Sequence, residues 1–390
     1  MAARYRAWAE VDLEALEDNL EQARLRAGPA EVWPVLKGNA YGHGALEVAR
    51  ACEAAGAPCL GVGDATEALE LREGGIRCRL LVLGTVIDAE IPDLLAHGIE
   101  VGVHSESRAR RIGAEARRRG RRAGVHLKID TGMGRLGVLP RAALRVARTI
   151  LEESGLVLRG LMTHCASPRG ALDPRTAEQL ACFEACLQEL QEHGLPVPVP
   201  HAANSALLFT SPPPLAGRAV RPGLALYGLL PEGCPPDPAL REVLSLRTQI
   251  VFLKDLEPGS EVGYGGTWKA ARPTRLAILP LGYADGLPWR CSSAVQEREN
   301  RAPWRVLVRG RPCPVVGAVS MDYTAIDVTE VPGAAVGDRV TLVGRDGAAR
   351  ISLAELARAA GTLPYEVSCR LGPRVRRVHL RERPAPAALP

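Results

Sequence analysis

A lysine stands where an apolar run ends and a glycine-rich turn begins. Residues 32–36 (VWPVL) continue directly into Lys37, which is followed by GNAYGHG and a run with helical spacing at residues 45–55. The pattern predicts a buried strand, a turn that carries one lysine, and a helix. Desolvation at such a strand end lowers the pKa of an amine, which favours a base or a nucleophile. A purely structural lysine explains the same pattern equally well.

Other side chains suited to chemistry also follow apolar runs in the first half of the chain. They are Lys128, Asp130, Arg135, His164, His201, Asn204 and Ser205. In a parallel barrel, functional residues gather beyond the carboxyl ends of the strands. The sequence therefore predicts that these residues share one site with Lys37.

Some histidines in these stretches have a structural interpretation instead. His126 lies inside an apolar run and is interpreted as a core histidine, and His43 as a polar turn residue. For His201 the structural and the functional interpretations both stay open. Asp130 is compatible with a role that only shapes its loop.

The elements that must position these residues alternate between short apolar runs and helical patterns. The runs are residues 32–36, 59–62, 80–83, 99–103, 125–129, 157–162 and 197–200, with an eighth at either 218–221 or 224–230. Asp64 and Glu67 have the spacing of a helix capping box. Strands and helices that alternate in this way, without a glycine fingerprint after the first strand, favour a closed (β/α)8 TIM barrel over an open sheet.

A proline-rich stretch separates this pattern from a different one. Residues 231–238 read PEGCPPDP, and beyond them the chain shows short strand patterns with one helical pattern, at residues 352–360. The sequence predicts an α/β protein with an N-terminal (β/α)8 barrel at residues 1–233. A C-terminal domain rich in β-strands is predicted at residues 234–390.

Composition and charge exclude several classes of partner. The net charge of +5 is mild for 390 residues, and the basic run at residues 108–122 lacks aromatic residues to stack on bases. It is interpreted as the solvated face of a helix, so no nucleic-acid partner is predicted. No run approaches the roughly 20 apolar residues of a spanning helix, so no membrane partner is predicted either.

The ten cysteines show no regular framework and no CxxC pair. Cys182 and Cys186 have only His193 nearby as a further ligand, so no metal site is predicted. Reduced cysteines are typical of the cytoplasm, which is the predicted location.

Seven strings along the chain together resemble one known family. In the first half they are KGNAYGHG, KIDTGMGRLG, HAANSA and RPGLALYGL, and in the second half EVGYGGTW, LGYADG and VSMDYTAIDV. Their order and spread over nearly the whole chain resemble the alanine racemases, which use pyridoxal 5'-phosphate. The resemblance implies interconversion of L-alanine and D-alanine, with D-alanine supplied for peptidoglycan.

The resemblance implies which residues bind the cofactor. Lys37 would carry pyridoxal phosphate as an aldimine, and Arg221 would face the ring nitrogen with His164 beside it. The other cofactor-binding residues implied are Tyr41, Asn204, Ser205, Gly223 and Leu224. Guanidinium has no lone pair to take up a proton, so a ring nitrogen beside it stays largely unprotonated, which favours racemisation over transamination.

The resemblance also implies two bases and a shared site. Lys37 would serve one face of the substrate and Tyr264 the other, because one base cannot easily reach both faces. Arg135 and the backbone amide of Met321 would bind the substrate carboxylate, and Tyr283 would line the entrance. Tyr264 and Met321 would come from the partner in a homodimer with shared active sites. Lys128 corresponds to a lysine that is often carbamylated in the family.

Other enzyme classes and three departures from the family pattern qualify this prediction. A racemase of broader specificity, for example for serine, a pyridoxal-phosphate decarboxylase and a non-catalytic carrier are the alternatives. Gly38 replaces a common alanine, and Ser320 a frequent cysteine. Pro373 stands where some members carry a tyrosine that contacts the phosphate, so the entrance is predicted to be wider.

Overall fold

The computed structural model describes residues 5–211 and 217–381. Its contacts divide the chain into two compact units. The barrel unit contains Ala15–Ala40 and Gly44–Arg241. The β-rich unit contains the chain through Glu14, Tyr41–His43 and the chain from Glu242 onward.

The strands and helices are numbered here in chain order. The strands are β1 (Ala7–Asp12), β2 (Glu31–Val32), β3 (Cys59–Val62), β4 (Arg79–Val82), β5 (Glu100–Val103), β6 (Ala123–Lys128), β7 (Leu156–Met162), β8 (Val199–His201), β9 (Ala219–Val220), β10 (Leu244–Gln249), β11 (Phe252–Leu256), β12 (Glu261–Val262), β13 (Trp268–Lys269), β14 (Thr274–Leu279), β15 (Arg305–Val308), β16 (Arg311–Val316), β17 (Thr324–Asp327), β18 (Arg339–Asp346), β19 (Ala349–Ile351) and β20 (Arg376–Leu380). The helices are α1 (Leu13–Ala27), α2 (Ala45–Ala54), α3 (Ala65–Glu73), α4 (Ile91–Ala96), α5 (Glu106–Arg118), α6 (Ala143–Glu152), α7 (Pro174–Glu192), α8 (Ser205–Thr210), α9 (Ser293–Arg298), α10 (Leu353–Ala360) and α11 (Pro364–Cys369).

Eight parallel strands, β2 to β9, close into a barrel. Strands β3 to β8 form one sheet in chain order, and β2 pairs in parallel with β9. The amide of Leu36 donates to the carbonyl oxygen of Gly61 (2.8 Å) and thereby joins the first strand segment to β3. The amide of Arg221 donates to the carbonyl oxygen of Ala203 (2.8 Å) and joins the last strand segment to the end of β8. The predicted (β/α)8 barrel is confirmed.

The barrel strands are short and apolar because both of their faces are covered. In β3 and β5 every residue is buried, as expected for parallel strands packed between other side chains and surrounding helices. The eighth strand is Ala219–Val220, so the first of the two predicted positions is confirmed, and Leu224–Tyr227 forms a short 3₁₀ turn instead.

The basic run forms helix α5, and its arginines lie on the outside. Ser105 caps the helix by accepting a hydrogen bond from the amide of Arg108 (3.2 Å). The buried face carries Ala109, Ile112 and Ala116. The exposed arginines pair with carboxylates of the same unit, namely Asp88, Glu106, Glu115 and Glu153. The interpretation as the solvated face of a helix agrees with this arrangement.

The β-rich unit is built on one large sheet. Its order is β11-β14-β17-β16-β15-β18-β10-β1-β20, with β19 beside β18 and β12 paired with β13 as a separate hairpin. Neighbours are antiparallel except for β1 and β20, which run in parallel. Strand β1 therefore belongs to this sheet, an arrangement that the predicted span of residues 1–233 does not anticipate. The predicted boundary between 233 and 234 stays a prediction.

Helices of the β-rich unit were partly missed by the sequence pattern. Helix α10 begins where predicted, since Ser352 and Glu355 form a complete capping box. Helices α9 and α11 were not predicted, because six residues are too few to show a helical period. Over residues 5–211 and 217–381, the structure has no helix with the length and apolar character needed to cross a membrane.

Candidate active site

Lys37 begins a left-handed turn at the carboxyl end of the first barrel strand. The φ angles are +64° at Gly38, +53° at Asn39, +54° at Ala40 and +52° at Tyr41. Side chains rarely adopt this conformation, because the Cβ atom approaches the backbone carbonyl too closely. The Lys37 side chain is exposed, whereas the sequence predicted a stem among apolar side chains.

Backbone and side-chain hydrogen bonds close this turn onto the next helix. The amide of Ala40 donates to the carbonyl oxygen of Leu36 (2.6 Å), and that of Gly44 to the carbonyl oxygen of Asn39 (3.0 Å). The side-chain oxygen of Asn39 accepts from the amide of Ala45, the first residue of α2, at 2.7 Å. These hydrogen bonds fix the backbone after Lys37 in an unusual conformation.

Lys128 ends strand β6 and is 7% exposed. Burial lowers its pKa to about 8, and the positive charges of Arg221, Arg135 and Lys37 lower it in the same direction. The structure therefore brings four predicted site residues within electrostatic range of one another. Their mutual repulsion makes the site suited to an anionic ligand.

His164, just beyond strand β7, responds to the same four cations. Burial, which has the largest effect, and the charges of Arg221, Lys37, Lys128 and Arg135 together lower its pKa to about 3. The imidazole is neutral at physiological pH and can donate or accept a hydrogen bond at the site.

Arg221 follows the eighth strand and is 6% exposed. One terminal nitrogen donates to the ring Nδ1 and the carbonyl oxygen of His201, both at 2.7 Å. The other donates to the carbonyl oxygens of Thr163 (2.6 Å) and Ala202 (3.2 Å). Burial lowers its pKa to about 10, which leaves it charged near neutral pH. None of its four hydrogen-bond acceptors is a carboxylate.

A buried chain of hydrogen bonds leads away from Arg221. His201 Nε2 and His126 Nδ1 are 2.9 Å apart, and His126 Nε2 lies 2.9 Å from Glu100 Oε2. Because Arg221 only donates, His201 must accept at Nδ1 and donate from Nε2, and His126 must then donate to Glu100. His201 is thus part of this hydrogen-bond chain and holds the guanidinium of Arg221 in place.

Glu100 supplies the negative charge at the far end of this chain. Burial opposes its ionisation, but the hydrogen bond from His126 and the ion pair with Arg79 outweigh burial and lower its pKa. Arg79 donates to both oxygens of the carboxylate, at 3.1 and 3.2 Å. Sequence reasoning missed Glu100; its only signal was a carboxylate at the start of an apolar run.

The loop that carries Arg135 is folded around Asp130. One oxygen of Asp130 accepts from the amides of Gly132 and Gly134, both at 3.0 Å. Burial raises its pKa, but these backbone hydrogen bonds outweigh burial and hold the pKa below the ordinary value. A Cβ atom at Gly137 would lie 2.6 Å from the amide nitrogen of Asp130, so the loop requires glycine there. Asp130 therefore shapes the loop, and the Arg135 side chain is exposed beyond it.

Asn204 and Ser205 begin helix α8 at the end of strand β8. Asn204 caps the helix by accepting from the amide of Leu207 (3.0 Å). Ser205 Oγ accepts from the amides of Gly223 (2.9 Å) and Ala225 (3.2 Å). The Gly223 amide is therefore engaged by Ser205. The hydroxyl hydrogen of Ser205 remains available to donate.

In the β-rich unit, Tyr264 lies on a glycine-rich loop between β12 and β13. It is 80% exposed. Gly263 has a φ of +76°, and a Cβ atom there would come within 3.2 Å of the amide nitrogen of Ala318. Tyr264, Ser320 and Tyr323 line a cavity of about 380 Å³.

Tyr283 and Met321 lie on two adjoining loops of the same unit. The amide of Tyr283 donates to the carbonyl oxygen of Ser320 (3.0 Å), and that of Ala284 to the carbonyl oxygen of Met321 (3.1 Å). Tyr283 and Met321 are 46% and 53% exposed. Tyr41, which follows the left-handed turn, also belongs to this unit and is half-buried.

The donor set of the barrel fits a phosphorylated heterocycle. The four cations supply no counter-charge to one another, and a bound phosphate or carboxylate relieves their repulsion. Ser205 offers a neutral hydroxyl, and His164 a neutral imidazole. Arg221, held by carbonyl oxygens and His201, is a rigid donor with no capacity to accept a proton. These properties match a phosphate, a ring nitrogen and a substrate carboxylate.

Comparison with known proteins identifies relatives over almost the full length. The family model described as alanine racemase, N-terminal domain, matches residues 11–231, and the one described as alanine racemase, C-terminal domain, matches residues 243–379. An alanine racemase of Symbiobacterium thermophilum is 40% identical over 373 residues, which cover 95% of this chain and 96% of that protein.

Solved structures show the same likeness. The crystal structure of alanine racemase from the D-cycloserine producer Streptomyces lavendulae has a TM-score of 0.89 and 32% identity, and covers 99% of this chain and 100% of that chain. The structure from Bartonella henselae, which has covalently bound pyridoxal phosphate, has a TM-score of 0.83 and 27% identity, with coverage of 96% and 99%.

Proposed function

The chain belongs to the alanine racemase family, and from that premise we propose that it interconverts L-alanine and D-alanine with pyridoxal phosphate as cofactor. The observation that carries the proposal is the cationic cluster at the strand ends, in which Lys37, Lys128, Arg135 and Arg221 act on His164. A dense group of cations is suited to a phosphate and a substrate carboxylate.

Residues at the strand ends of the barrel would hold the cofactor. Lys37 would attach it covalently, Arg221 and His164 would lie beside its ring, and Ser205 would donate to its phosphate. Tyr41, Asn204 and the backbone at Leu224 would add further contacts, and Gly223, whose amide donates to Ser205, would hold that hydroxyl in place. When bound, pyridoxal phosphate withdraws electrons from the α-carbon of an attached amino acid and acidifies its α-hydrogen.

Arg221 determines whether the acidified α-hydrogen leads to racemisation or to transamination. A guanidinium has only donors, so a ring nitrogen placed against it stays an acceptor. The weaker electron withdrawal favours return of a proton to the same carbon, which is racemisation.

Two bases move the proton, one on each face of the substrate. Lys37 holds or releases a proton at its Nζ, and Tyr264 does so at its hydroxyl oxygen from the opposite face. Arg135 orients the substrate by pairing with its carboxylate, and the amide of Met321 assists. Tyr283 lines the entrance.

The site is completed in a homodimer. In this proposal, Tyr264 and Met321 of the partner subunit meet the barrel cluster of the first. Their exposure of 80% and 53% supports the proposal, because catalytic side chains act in places from which water is excluded. The D-alanine product serves peptidoglycan synthesis. The enzyme acts in the cytoplasm, where thiols stay reduced. The nine cysteines from Cys52 to Cys313 are free thiols, which agrees with this location.

The test is chiral analysis after incubation of the purified protein and pyridoxal phosphate with L-alanine, L-serine and L-lysine in separate reactions. We expect D-alanine to form, without release of carbon dioxide. Unchanged L-alanine would refute the proposed function. Comparable rates on serine would indicate the broader racemase, and carbon dioxide from lysine would indicate the decarboxylase.

A further inference from the structure

The side chain of Glu67, on helix α3, makes contacts that its capping-box spacing did not predict. Asp64 caps the helix by accepting from the amide of Glu67 (3.0 Å), so half of the box is present. The Glu67 carboxylate, however, extends beyond the helix. One oxygen accepts from the amides of Gly38 (2.6 Å) and Asn39 (3.1 Å), and the other from that of Gly63 (2.8 Å).

These hydrogen bonds satisfy amides that the turn itself leaves unpaired. The first amides of any helical turn have no partner within that turn. Gly38 and Asn39 occupy this position in the left-handed turn that follows Lys37. A single carboxylate oxygen binds both amides, and charge-assisted hydrogen bonds of this kind are among the stronger ones. Glu67 thus caps the left-handed turn from outside.

The third hydrogen bond ties the turn to the neighbouring strand. Gly63 directly follows β3, and its amide binds the second oxygen of Glu67. A Cβ atom at Gly63 would lie 3.2 Å from that oxygen and 3.3 Å from Cβ of Lys37. The root of the Lys37 side chain, the end of β3 and the Glu67 carboxylate therefore pack closely around one glycine.

We propose that Glu67 is a positioning residue for Lys37. It acts through the backbone: by holding Gly38 and Asn39, it fixes the direction in which the Lys37 side chain leaves the first barrel strand. The proposal deepens the proposed function, on which it rests, because it assigns Glu67 to the presentation of the amine that attaches pyridoxal phosphate.

The test compares four full-length variants in the rate at which Lys37 attaches added pyridoxal phosphate. The rate is followed by absorbance, and the site is identified by borohydride reduction and peptide mass. Glu67→Ala and Glu67→Gln change the carboxylate. Asp64→Ala removes the cap of the same helix but not the contact with the turn. Glu70→Ala removes an exposed carboxylate from the same helix.

We expect Glu67→Ala to slow attachment about 10- to 100-fold, since misplacement of a reacting group by about 1 Å costs this much. Glu67→Gln retains one acceptor oxygen, and we expect an intermediate rate. We expect the Asp64→Ala variant to have a lower melting temperature but to attach pyridoxal phosphate at nearly the wild-type rate. The Glu70→Ala variant should resemble wild type in both measurements. In the racemase assay, Glu67→Gln lowers kcat more than it changes KM.

Attachment by both Glu67 variants within about twofold of wild type would overturn the proposal. So would equal slowing by Glu67→Gln and Asp64→Ala, because the effect would then be one of helix stability. If Glu67→Ala does not fold, Glu67→Gln decides by the same criterion.

Hydrogen exchange of the peptide that spans residues 37–44, measured on cofactor-free protein, separates this proposal from the proposed function. Faster exchange in Glu67→Gln than in Glu70→Ala supports the contact, and equal exchange contradicts it. If the wild-type protein does not attach the cofactor, the proposed function is refuted. The exchange measurement still decides whether Glu67 holds the turn, because it uses cofactor-free protein.

Discussion

The two groups of site residues differ in how they are held. In the barrel unit, Lys128 and Arg221 are 7% and 6% exposed, and both terminal nitrogens of Arg221 donate hydrogen bonds. In the β-rich unit, Tyr264 and Met321 lie on loops and are 80% and 53% exposed. The buried members of the first group are preorganised within their own unit, whereas the second group, like Lys37 and Arg135, presents its side chains to solvent.

This difference indicates which half of the site is complete. The barrel cluster has donors and charge, and two of its cations, Lys128 and Arg221, are buried, as a cofactor site requires. The exposed tyrosine and methionine have the backbone positions of a site but not its dry surroundings. The homodimer proposed above supplies those surroundings, and each of the following changes acts on one side of the comparison.

The largest effect is expected on the barrel side, from Lys37→Ala. Loss of the attaching amine and of one base should lower the racemisation rate by roughly 10⁴-fold or more. Chiral analysis measures the rate, and peptide mass after borohydride reduction measures attachment. Racemisation that survives this substitution would contradict the assigned mechanism.

On the tyrosine side, Tyr264→Phe should lower the rate by about 10²- to 10⁴-fold, the range for loss of a general base. Because Tyr264 serves one face only, exchange of the α-hydrogen in deuterated water should fall far more for one enantiomer than for the other. Tyr323→Phe, which alters another tyrosine of the same cavity, is the control. Equal losses for both enantiomers would refute the two-base assignment.

An intermediate effect is expected from Glu100→Gln, which changes the far end of the barrel network. The substitution leaves partly exposed Arg79 and buried His126 without their charged acceptor, at a cost of about 2 kcal/mol in the free energy of unfolding. Urea denaturation measures this loss, and Glu178→Gln at an exposed site is the control. Unchanged stability would show that the network does not depend on the Glu100 charge.

Carbamylation of Lys128 is expected to have the smallest effect on the racemisation rate. Its pKa of about 8 leaves about half of the amine neutral at pH 8, against well under 1% for an ordinary lysine. Neutral amine reacts with carbon dioxide, so the fraction of protein heavier by one carbon dioxide should rise from about pH 7 to about pH 9 in bicarbonate. Lys128→Arg is the control. Intact mass that stays unchanged at every pH would contradict the prediction.

The barrel and several of its strand-end residues were predictable from the sequence, since apolar runs end close to Lys37, Lys128 and His164. The run at 59–62 coincides with strand β3. Short elements were the failures: α9, α11 and the hairpin of β12 and β13 have too few residues for a period to show.

Two side chains show why the rest of the site could not be predicted. Glu67 has the spacing of a capping box, yet its carboxylate binds amides that are 28 and 29 residues away in the chain. Glu100 reaches Arg221 only through two histidines, one on β6 and one on β8. Both roles arise from tertiary contacts, which spacing along one segment does not encode. The left-handed turn after Lys37 depends on such contacts too.

Mixing two inactive variants tests the central claim most directly. If Lys37 and Tyr264 of the partner subunit form one site, a mixed dimer of Lys37→Ala and Tyr264→Phe chains contains one intact site. Co-expression should then restore about a quarter of the wild-type racemisation rate, because half of randomly formed dimers are mixed and each has one of two sites intact. Activity no higher than that of the separate variants would contradict a racemase site shared between two copies of the chain.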